Sequence, residues 1–235
     1  MPTGYTDVGM SLYISLDFDE KYYTDGKSGY INYQNYPHFA TRAQWAVDEY
    51  NTRSFVNDIW VIGAGWGWLV KEIRDLLAPS DKSKCKGIVF SAYEKSQSMA
   101  VVGLPDGAII EMDITDYTFP DMDMAISWNF LDSIPSHNEA KATGICNKLI
   151  NRATYQMHVI CMSTNDPHAD WYTAQGYNIK TRAYWRNKFD SVNFDGGQRC
   201  LLVNYETGNV SRKRSTDWIS VTDLDIPTCW GRVSD

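Results

Sequence analysis

The sequence lacks several features that would assign it at once to a specialised class of protein. No apolar run approaches the roughly 18 residues of a membrane-spanning helix. The N-terminal stretch MPTGYTDVGMS has neither the basic start nor the apolar centre of a signal peptide. The five cysteines form no CxxC pair, and the four histidines show no metal-ligand spacing. We therefore expect a soluble, cytoplasmic protein with reduced thiols and no metal or membrane association.

An excess of basic charge is also missing. The chain has 22 Lys and Arg against 29 Asp and Glu, which gives a net charge of −7. Proteins that coat nucleic acid carry a basic footprint for the phosphates. The basic run Arg212-Lys213-Arg214 is most simply a solvated loop. The charge therefore disfavours a protein whose main task is to bind nucleic acid.

What the sequence does contain is an alternation of strand and helix patterns from about residue 56 onward. Strands that alternate with helices predict a parallel sheet covered on both faces. A helix is expected over 39–51 before this alternation, and hairpins with irregular structure are expected from Tyr177 onward. The predicted elements between them are a strand over 56–62, a helix to Leu77, a strand over 87–93, a helix around 96–102, strands over 107–112 and 122–127, a helix from the capping box Ser136–Glu139, and a strand over 155–163.

The stretch VIGAGWGWLV, residues 61–70, places Gly63, Gly65 and Gly67 between a buried strand and an amphipathic helix. In a parallel sheet, ligands bind at this carboxyl end of the strands. A dinucleotide fingerprint, G-x-G-x-x-G/A, would need a small residue where Trp68 stands and an open helix start, which Trp66 also crowds. NAD is therefore disfavoured. Trp68 is expected in the core, whereas for Trp66 a core position and a position beside a ligand both stay open.

The G-x-G-x-G pattern instead resembles the first motif of the class I S-adenosylmethionine (SAM)-dependent methyltransferases. The resemblance continues with Glu94 after the second strand, in YEKSQSMA, and with Asp113 after the third, in EMDITDY. It ends with SWNFLDSIP, residues 127–135, after the fourth strand. The family resemblance implies an α/β, three-layer Rossmann-like methyltransferase fold with a mostly parallel seven-stranded sheet, SAM as cofactor and S-adenosylhomocysteine (SAH) as product.

The resemblance also implies roles for individual residues. The glycine corner lies against SAM, Glu94 accepts hydrogen bonds from both ribose hydroxyls, and Asp113 lies near the adenine amino group. An ionised carboxylate suits the ribose because it offers only acceptors. The complete set of implied cofactor contacts on the core is Gly63, Ala64, Gly65, Gly67, Glu94, Lys95, Asp113, Ile114 and Asn129.

The Tyr/Gly-rich leader YYTDGKSGYINY resembles a segment that folds over the cofactor in methyltransferases of small molecules or glycans. Its lid candidates are Tyr23, Gly29 and Tyr30. An aromatic hairpin with a turn at Asp25-Gly26 is the alternative. The predicted organisation is thus a lid or hairpin over 1–37, a SAM-binding core over 38–206 and an irregular tail over 207–235.

The methyl acceptor is only partly constrained by the segment after the fourth strand. It lacks the Pro-Pro pair of DNA amino methyltransferases and the Pro-Cys of cytosine C5 enzymes. A small-molecule or glycan-type acceptor is therefore favoured over nucleic acid. Where a His is usual in Leu-Glu-His, the chain has Leu131-Asp132-Ser133, so the candidate bases are Asp132, His137 and His168. A SAM-binding module without turnover, aminopropyl transfer and a non-SAM oxidoreductase remain alternatives.

Overall fold

The computed structural model describes residues 39–90, 95–96, 103–112, 118–128, 130–131, 139–160, 184, 199–204, 210–214 and 217–221. Among them, the helices are α1 (Phe39–Thr52), α2 (Trp68–Leu76) and α3 (Glu139–Arg152), and a single 3-10 turn covers Lys82–Lys84. The strands are β1 (Ile59–Ile62), β2 (Cys85–Val89), β3 (Ile109–Glu111), β4 (Met122–Trp128), β5 (Ala153–Ile160), β6 (Arg199–Asn204), β7 (Val210–Arg214) and β8 (Asp217–Val221). None of the helices in these ranges is long and apolar enough to cross a membrane.

The strands form one sheet in the order β3-β2-β1-β4-β5-β6-β7-β8. All neighbours from β3 to β6 are parallel, whereas β7 and β8 are antiparallel additions at one edge. The predicted α/β fold with a mostly parallel sheet is confirmed. Seven strands were expected, but the described part of the sheet has eight because the C-terminal stretch adds the antiparallel pair β7 and β8. The strand order reverses between β1 and β4, so their carboxyl ends flank the switch point at which such sheets bind ligands.

Helices cover both faces of the sheet, because successive side chains of β1 pack against helices on opposite faces. All four residues of β1 are buried, which is typical of a parallel strand with both faces covered. Ile59 and Val61 join an apolar cluster with side chains of α1 and α2, whereas Trp60 and Ile62 join a second cluster with α3. We call these the first and second apolar clusters. The two clusters on opposite faces give the predicted three layers.

The amino ends of the strands are held by polar contacts. Asp58, just before β1, accepts a hydrogen bond of 2.8 Å from the backbone N–H of Asp123 in β4. Asp123 in turn accepts one of 2.8 Å from the backbone N–H of Asn57. Nearby, the hydroxyl of Tyr155 donates to Glu49 at 2.6 Å, and Glu49 also pairs with Arg53. These contacts tie α1, β1, β4 and β5 together at the amino edge of the sheet.

Several predicted elements correspond to helices and strands of the structure, and others differ from it in their bounds or type. The helix over 39–51 corresponds to α1, and the strand over 122–127 to β4. The first core strand is shorter than predicted, since only 59–62 pair with neighbours. The capping box residue Ser136 and the leader over 1–37 lie outside the described residues. Strands β7 and β8 lie within 207–235, which was expected to be irregular, and the domain division itself stays a prediction.

Candidate functional site

The corner between β1 and α2 follows a backbone path that only glycine adopts readily. Its φ angles are 67° at Gly63, 54° at Gly65 and 82° at Gly67. Left-handed backbone costs other L-residues about 1–2 kcal/mol each. Gly67 is also the N-cap of α2, and no side chain caps this helix. The three glycines thus let the chain turn sharply from a buried strand into a helix.

The glycine corner lies directly against the end of β2. The backbone N–H of Ala64 donates to the carbonyl of Ile88 at 2.9 Å. Within the corner, the backbone N–H of Gly67 donates to the carbonyl of Ala64, also at 2.9 Å. A Cβ built on Gly87 in β2 would lie 2.8 Å from the side chains of both Ala64 and Val70. Gly87 is therefore needed for this close approach. Sequence reasoning missed it, although a glycine inside a strand pattern is a recognised sign of close backbone contact.

An aromatic side chain just after β4, that of Phe130, also packs against the corner. A Cβ on Gly63 would lie 2.5 Å from Cγ of Phe130 and closer still to Cδ2. The ring of Phe130 stacks on Phe90, which follows β2, with 5.0 Å between centroids and 6° between planes. Phe119 meets Phe90 edge-on at 6.5 Å. Gly63 is thus required by the packing of Phe130 as well as by its own φ angle.

Of the two tryptophans of the corner, Trp66 is buried in the core and Trp68 is partly buried against it. Trp66 is 6% exposed and belongs to the first apolar cluster, and Trp68 packs against the same cluster. The core position predicted for Trp68 is met in part, since its ring packs against the core but is only partly buried, and of the two interpretations left open for Trp66 the structure favours the core.

A chain of buried polar side chains runs between β4 and β5, on the face covered by α3. The Nδ1 atom of His158 lies 2.9 Å from Oγ of Ser127, and its Nε2 atom lies 3.0 Å from Oε1 of Gln156. Gln156 donates from Nε2 to the carbonyl of Leu149 in α3 at 2.9 Å. Burial lowers the pKa of His158 to about 3, so its imidazole is neutral at physiological pH.

The predicted site residues fall into two groups. The structure brings Gly63, Ala64, Gly65 and Gly67 together at the corner, and it places Lys95 as a half-buried residue in a helical segment after β2. The cofactor-binding roles of these residues stay predictions, and the other predicted site residues lie outside the described ranges. They are Tyr23, Gly29, Tyr30, Glu94, Asp113, Ile114, Asn129, Asp132, His137 and His168.

The described strands β1 to β4 end side by side at the carboxyl edge of the sheet, because neighbouring strands among them are parallel. Met112, directly after β3, donates its backbone N–H to the carbonyl of Val89 at 2.9 Å. Glu94 follows β2 and Asp113 follows β3 along the chain. Within the described ranges, no group of three or more His, Cys, Asp or Glu is arranged to hold a metal ion.

Comparison with known proteins yields structural similarity only. No protein-family model and no curated protein sequence matches the chain. The magnesium protoporphyrin IX methyltransferase of Synechocystis PCC 6803 with bound SAH matches at a TM-score of 0.51 and 12% identity, covering 90% of each chain. The same enzyme with bound SAM matches at a TM-score of 0.50 and 11% identity, covering 86% of this chain and 92% of that one.

A weaker match is the plantazolicin methyltransferase BpumL, at a TM-score of 0.43 and 16% identity. It involves 61% of this chain, which spans about half, 55%, of that protein. Identities as low as those to the Synechocystis enzyme establish a shared fold, and the parallel order β3-β2-β1-β4-β5 with its glycine corner agrees with it. The chain therefore has the fold of the class I SAM-dependent methyltransferases.

Proposed function

We propose that this protein is a SAM-dependent methyltransferase that acts on a small-molecule or glycan-type acceptor. The observation that carries the proposal is the corner after β1, where three left-handed glycines stand at the switch point of the sheet. Such a corner lets a ligand approach the backbone closely. The proposal is supported by the fold shared with the Synechocystis methyltransferase, which has been solved with SAM and with SAH.

The residues at the corner fit a cofactor of this kind. Gly65 and Gly67 present backbone without Cβ atoms beside the start of α2, while Gly63 is already covered by Phe130. The backbone of the corner thus accounts for the approach of SAM, and we assign the ribose contact to Glu94 and the adenine contact to Asp113. Lys95, Ile114 and Asn129 complete the proposed contacts, with Tyr23, Gly29 and Tyr30 as the lid.

When bound, SAM supplies a methyl group that is already activated by its sulfonium sulfur. The protein therefore has to position the acceptor in line, exclude water and remove a proton where the acceptor requires it. Positioning alone can contribute about 7–11 kcal/mol to lowering the barrier. For proton removal we propose Asp132, His137 or His168 as the general base. The buried His158 is unsuited to this task, because both of its ring nitrogens already have partners.

The net charge and the packing of Phe130 support the proposed acceptor class. A net charge of −7 opposes binding to a polyanion. Enzymes that modify a base within nucleic acid stack the flipped base between exposed aromatic or apolar side chains. Phe130 is only 3% exposed, and its ring is stacked on Phe90. A nucleic-acid acceptor is thus less favoured, and a SAM-binding module without turnover is the other alternative.

Calorimetric titration with SAM and SAH, with NADH as the control ligand, tests the proposal. We expect micromolar binding of SAM and SAH and no binding of NADH. Because a hydrogen bond to a charged group contributes about 1.5–3 kcal/mol, Glu94→Ala should weaken SAM binding about tenfold or more. Asp106→Ala, at an exposed acid before β3, is the matched control and should leave the affinity unchanged. Absence of SAM and SAH binding by the wild type would overturn the proposed cofactor.

A further inference from the structure

The polar chain between β4 and β5 has a direction that the backbone of α3 imposes. The carbonyl of Leu149 can only accept, so the atom of Gln156 that faces it at 2.9 Å must be the donor Nε2. Oε1 of Gln156 therefore faces His158 and accepts from Nε2–H. Since a neutral imidazole carries one proton, its Nδ1 is an acceptor, and the hydroxyl of Ser127 must donate to it.

This series of hydrogen bonds, from Leu149 to Ser127, ends next to the candidate site. Ser127 and His158 are paired across β4 and β5, and Ser127 is the last residue but one of β4. Three positions further along is Phe130, the ring that packs against Gly63. Ser127, Gln156 and His158 are all fully buried, so water cannot replace a lost partner. The position of Ser127 is thus coupled to the position of the segment that covers the glycine corner.

Apolar residues would fill the same space without the cost of burying polar groups. A hydrogen-bonded chain differs from an apolar contact because it fixes one arrangement of its members, each of which has a single acceptable orientation. We propose that His158 is a positioning residue for the cofactor site: through Ser127 it fixes the carboxyl end of β4, and thereby the packing of Phe130 on the glycine corner. This inference rests on the proposed binding of SAM at that corner.

Two isosteric replacements of His158 separate positioning from simple packing. Asn places an acceptor oxygen near the position of Nδ1, so His158→Asn keeps the bond to Ser127 and loses the bond to Gln156. Gln places a donor nitrogen near the position of Nε2, so His158→Gln keeps the bond to Gln156 and loses the bond to Ser127. Both variants remove the same ring and one hydrogen bond, and comparable losses in thermal stability are expected.

The readout is the dissociation constant for SAM, measured by calorimetry on the full chain. His158→Asn should remain within about twofold of the wild type, whereas His158→Gln should bind about fivefold or more weakly, as for one lost hydrogen bond. Ser127→Ala removes the same hydrogen bond from the Ser127 side, so its dissociation constant for SAM should resemble that of His158→Gln. Equal affinities in the two His158 variants, or an unchanged affinity in Ser127→Ala, would overturn the inference while leaving the proposed function intact.

A second measurement is independent of SAM. The nitrogen chemical shifts of His158 should show a proton on Nε2 and none on Nδ1 in the wild type between about pH 5 and pH 7. A proton on Nδ1 would reverse the direction of the chain and overturn the inference. Failure of the wild type to bind SAM would overturn the proposed function itself, and is thus distinguishable from a failure confined to the variants.

Discussion

Different kinds of contact stabilise the amino edge of the sheet, where its parallel strands begin, and the carboxyl edge, where they end. At the amino edge, polar side chains join neighbouring elements: Arg152 at the end of α3 pairs with Asp121 before β4 at 2.7 Å, and Glu49 of α1 contacts both Arg53 and Tyr155 of β5. At the carboxyl edge, the glycine corner is formed by backbone and is packed against the ring of Phe130. The amino edge is therefore held by side-chain contacts, whereas the carboxyl edge is where we propose that backbone groups contact SAM. Changes at the two edges should separate stability from binding.

The largest loss of stability is expected from Gly63→Ala, which changes the glycine corner at the carboxyl edge. The new Cβ would meet Cγ of Phe130 at 2.5 Å in addition to the strain at a φ of 67°. Left-handed strain and overpacking together should cost about 2–5 kcal/mol of unfolding free energy. The measurement is urea unfolding, and calorimetry should show that SAM binding is weakened as well.

Gly103→Ala is the matched control for this substitution. Gly103 has nearly the same φ, 68°, and a Cβ at this position would meet nothing within 4 Å. Only the backbone cost of about 1–2 kcal/mol should then remain, with SAM binding unchanged. Equal losses in the two variants would contradict the close contact between Gly63 and Phe130.

Lowering the pH should reduce the free energy of unfolding through His158, which lies in the polar chain between β4 and β5. Its folded-state pKa is about 3, below the ordinary value of 6.5, so the unfolded chain takes up the proton first as the pH falls. The stability that depends on neutral His158 is therefore complete above pH 6.5 and is lost progressively toward pH 3. By about pH 5 the wild type should have lost about 2 kcal/mol from this group.

The control for this acid effect is His158→Asn, which cannot titrate. Other groups titrate equally in both proteins, so the difference between their unfolding free energies isolates His158. Urea unfolding at about pH 7 and about pH 5 should show that the wild type loses stability more steeply than the variant. Parallel losses would mean that burial does not lower the pKa of His158 below its ordinary value of 6.5 in the folded protein.

Sequence patterns predicted the features that depend on residues close together along the chain. The alternation of apolar runs predicted the parallel sheet, and the glycines between β1 and α2 predicted the corner. The contacts of Gly63 with Phe130 and of Tyr155 with Glu49 join residues distant in sequence. They depend on how separate elements pack in three dimensions, which the local pattern along the chain does not specify. His158 was likewise absent from the candidate residues, although a histidine inside the apolar strand YQMHVI is a signal for a buried polar network.

At the amino edge, Tyr155→Phe should lower stability and leave binding unchanged. The substitution removes a hydrogen bond of 2.6 Å to the carboxylate of Glu49 while keeping the ring that Arg53 covers at 4.1 Å. A bond to a charged group contributes about 1.5–3 kcal/mol, and the retained Arg53 pair should hold the loss near the lower value. Urea unfolding measures the loss. A changed dissociation constant for SAM would contradict the separation of the two edges.

The smallest effect is expected from Lys71→Ala, on the exposed face of α2 one turn after the glycine corner. Lys71 pairs with Asp75 at 2.5 Å, and the two side chains are 34% and 52% exposed. Exposed pairs of this spacing contribute about 0.3–0.5 kcal/mol, and salt screens them. Urea unfolding at low and high salt should show a difference of that size that fades with salt.

The same Lys71 variant tests whether the corner binds SAM through its backbone. Lys71 donates its backbone N–H to the carbonyl of Gly67 at 2.9 Å, and alanine preserves that bond. If the contacts at the corner are made by backbone groups, calorimetry should give the same dissociation constant for SAM as in the wild type. A clear loss of affinity would show that the ammonium group contacts the ligand, and the carboxyl edge would then depend on side-chain charge as the amino edge does.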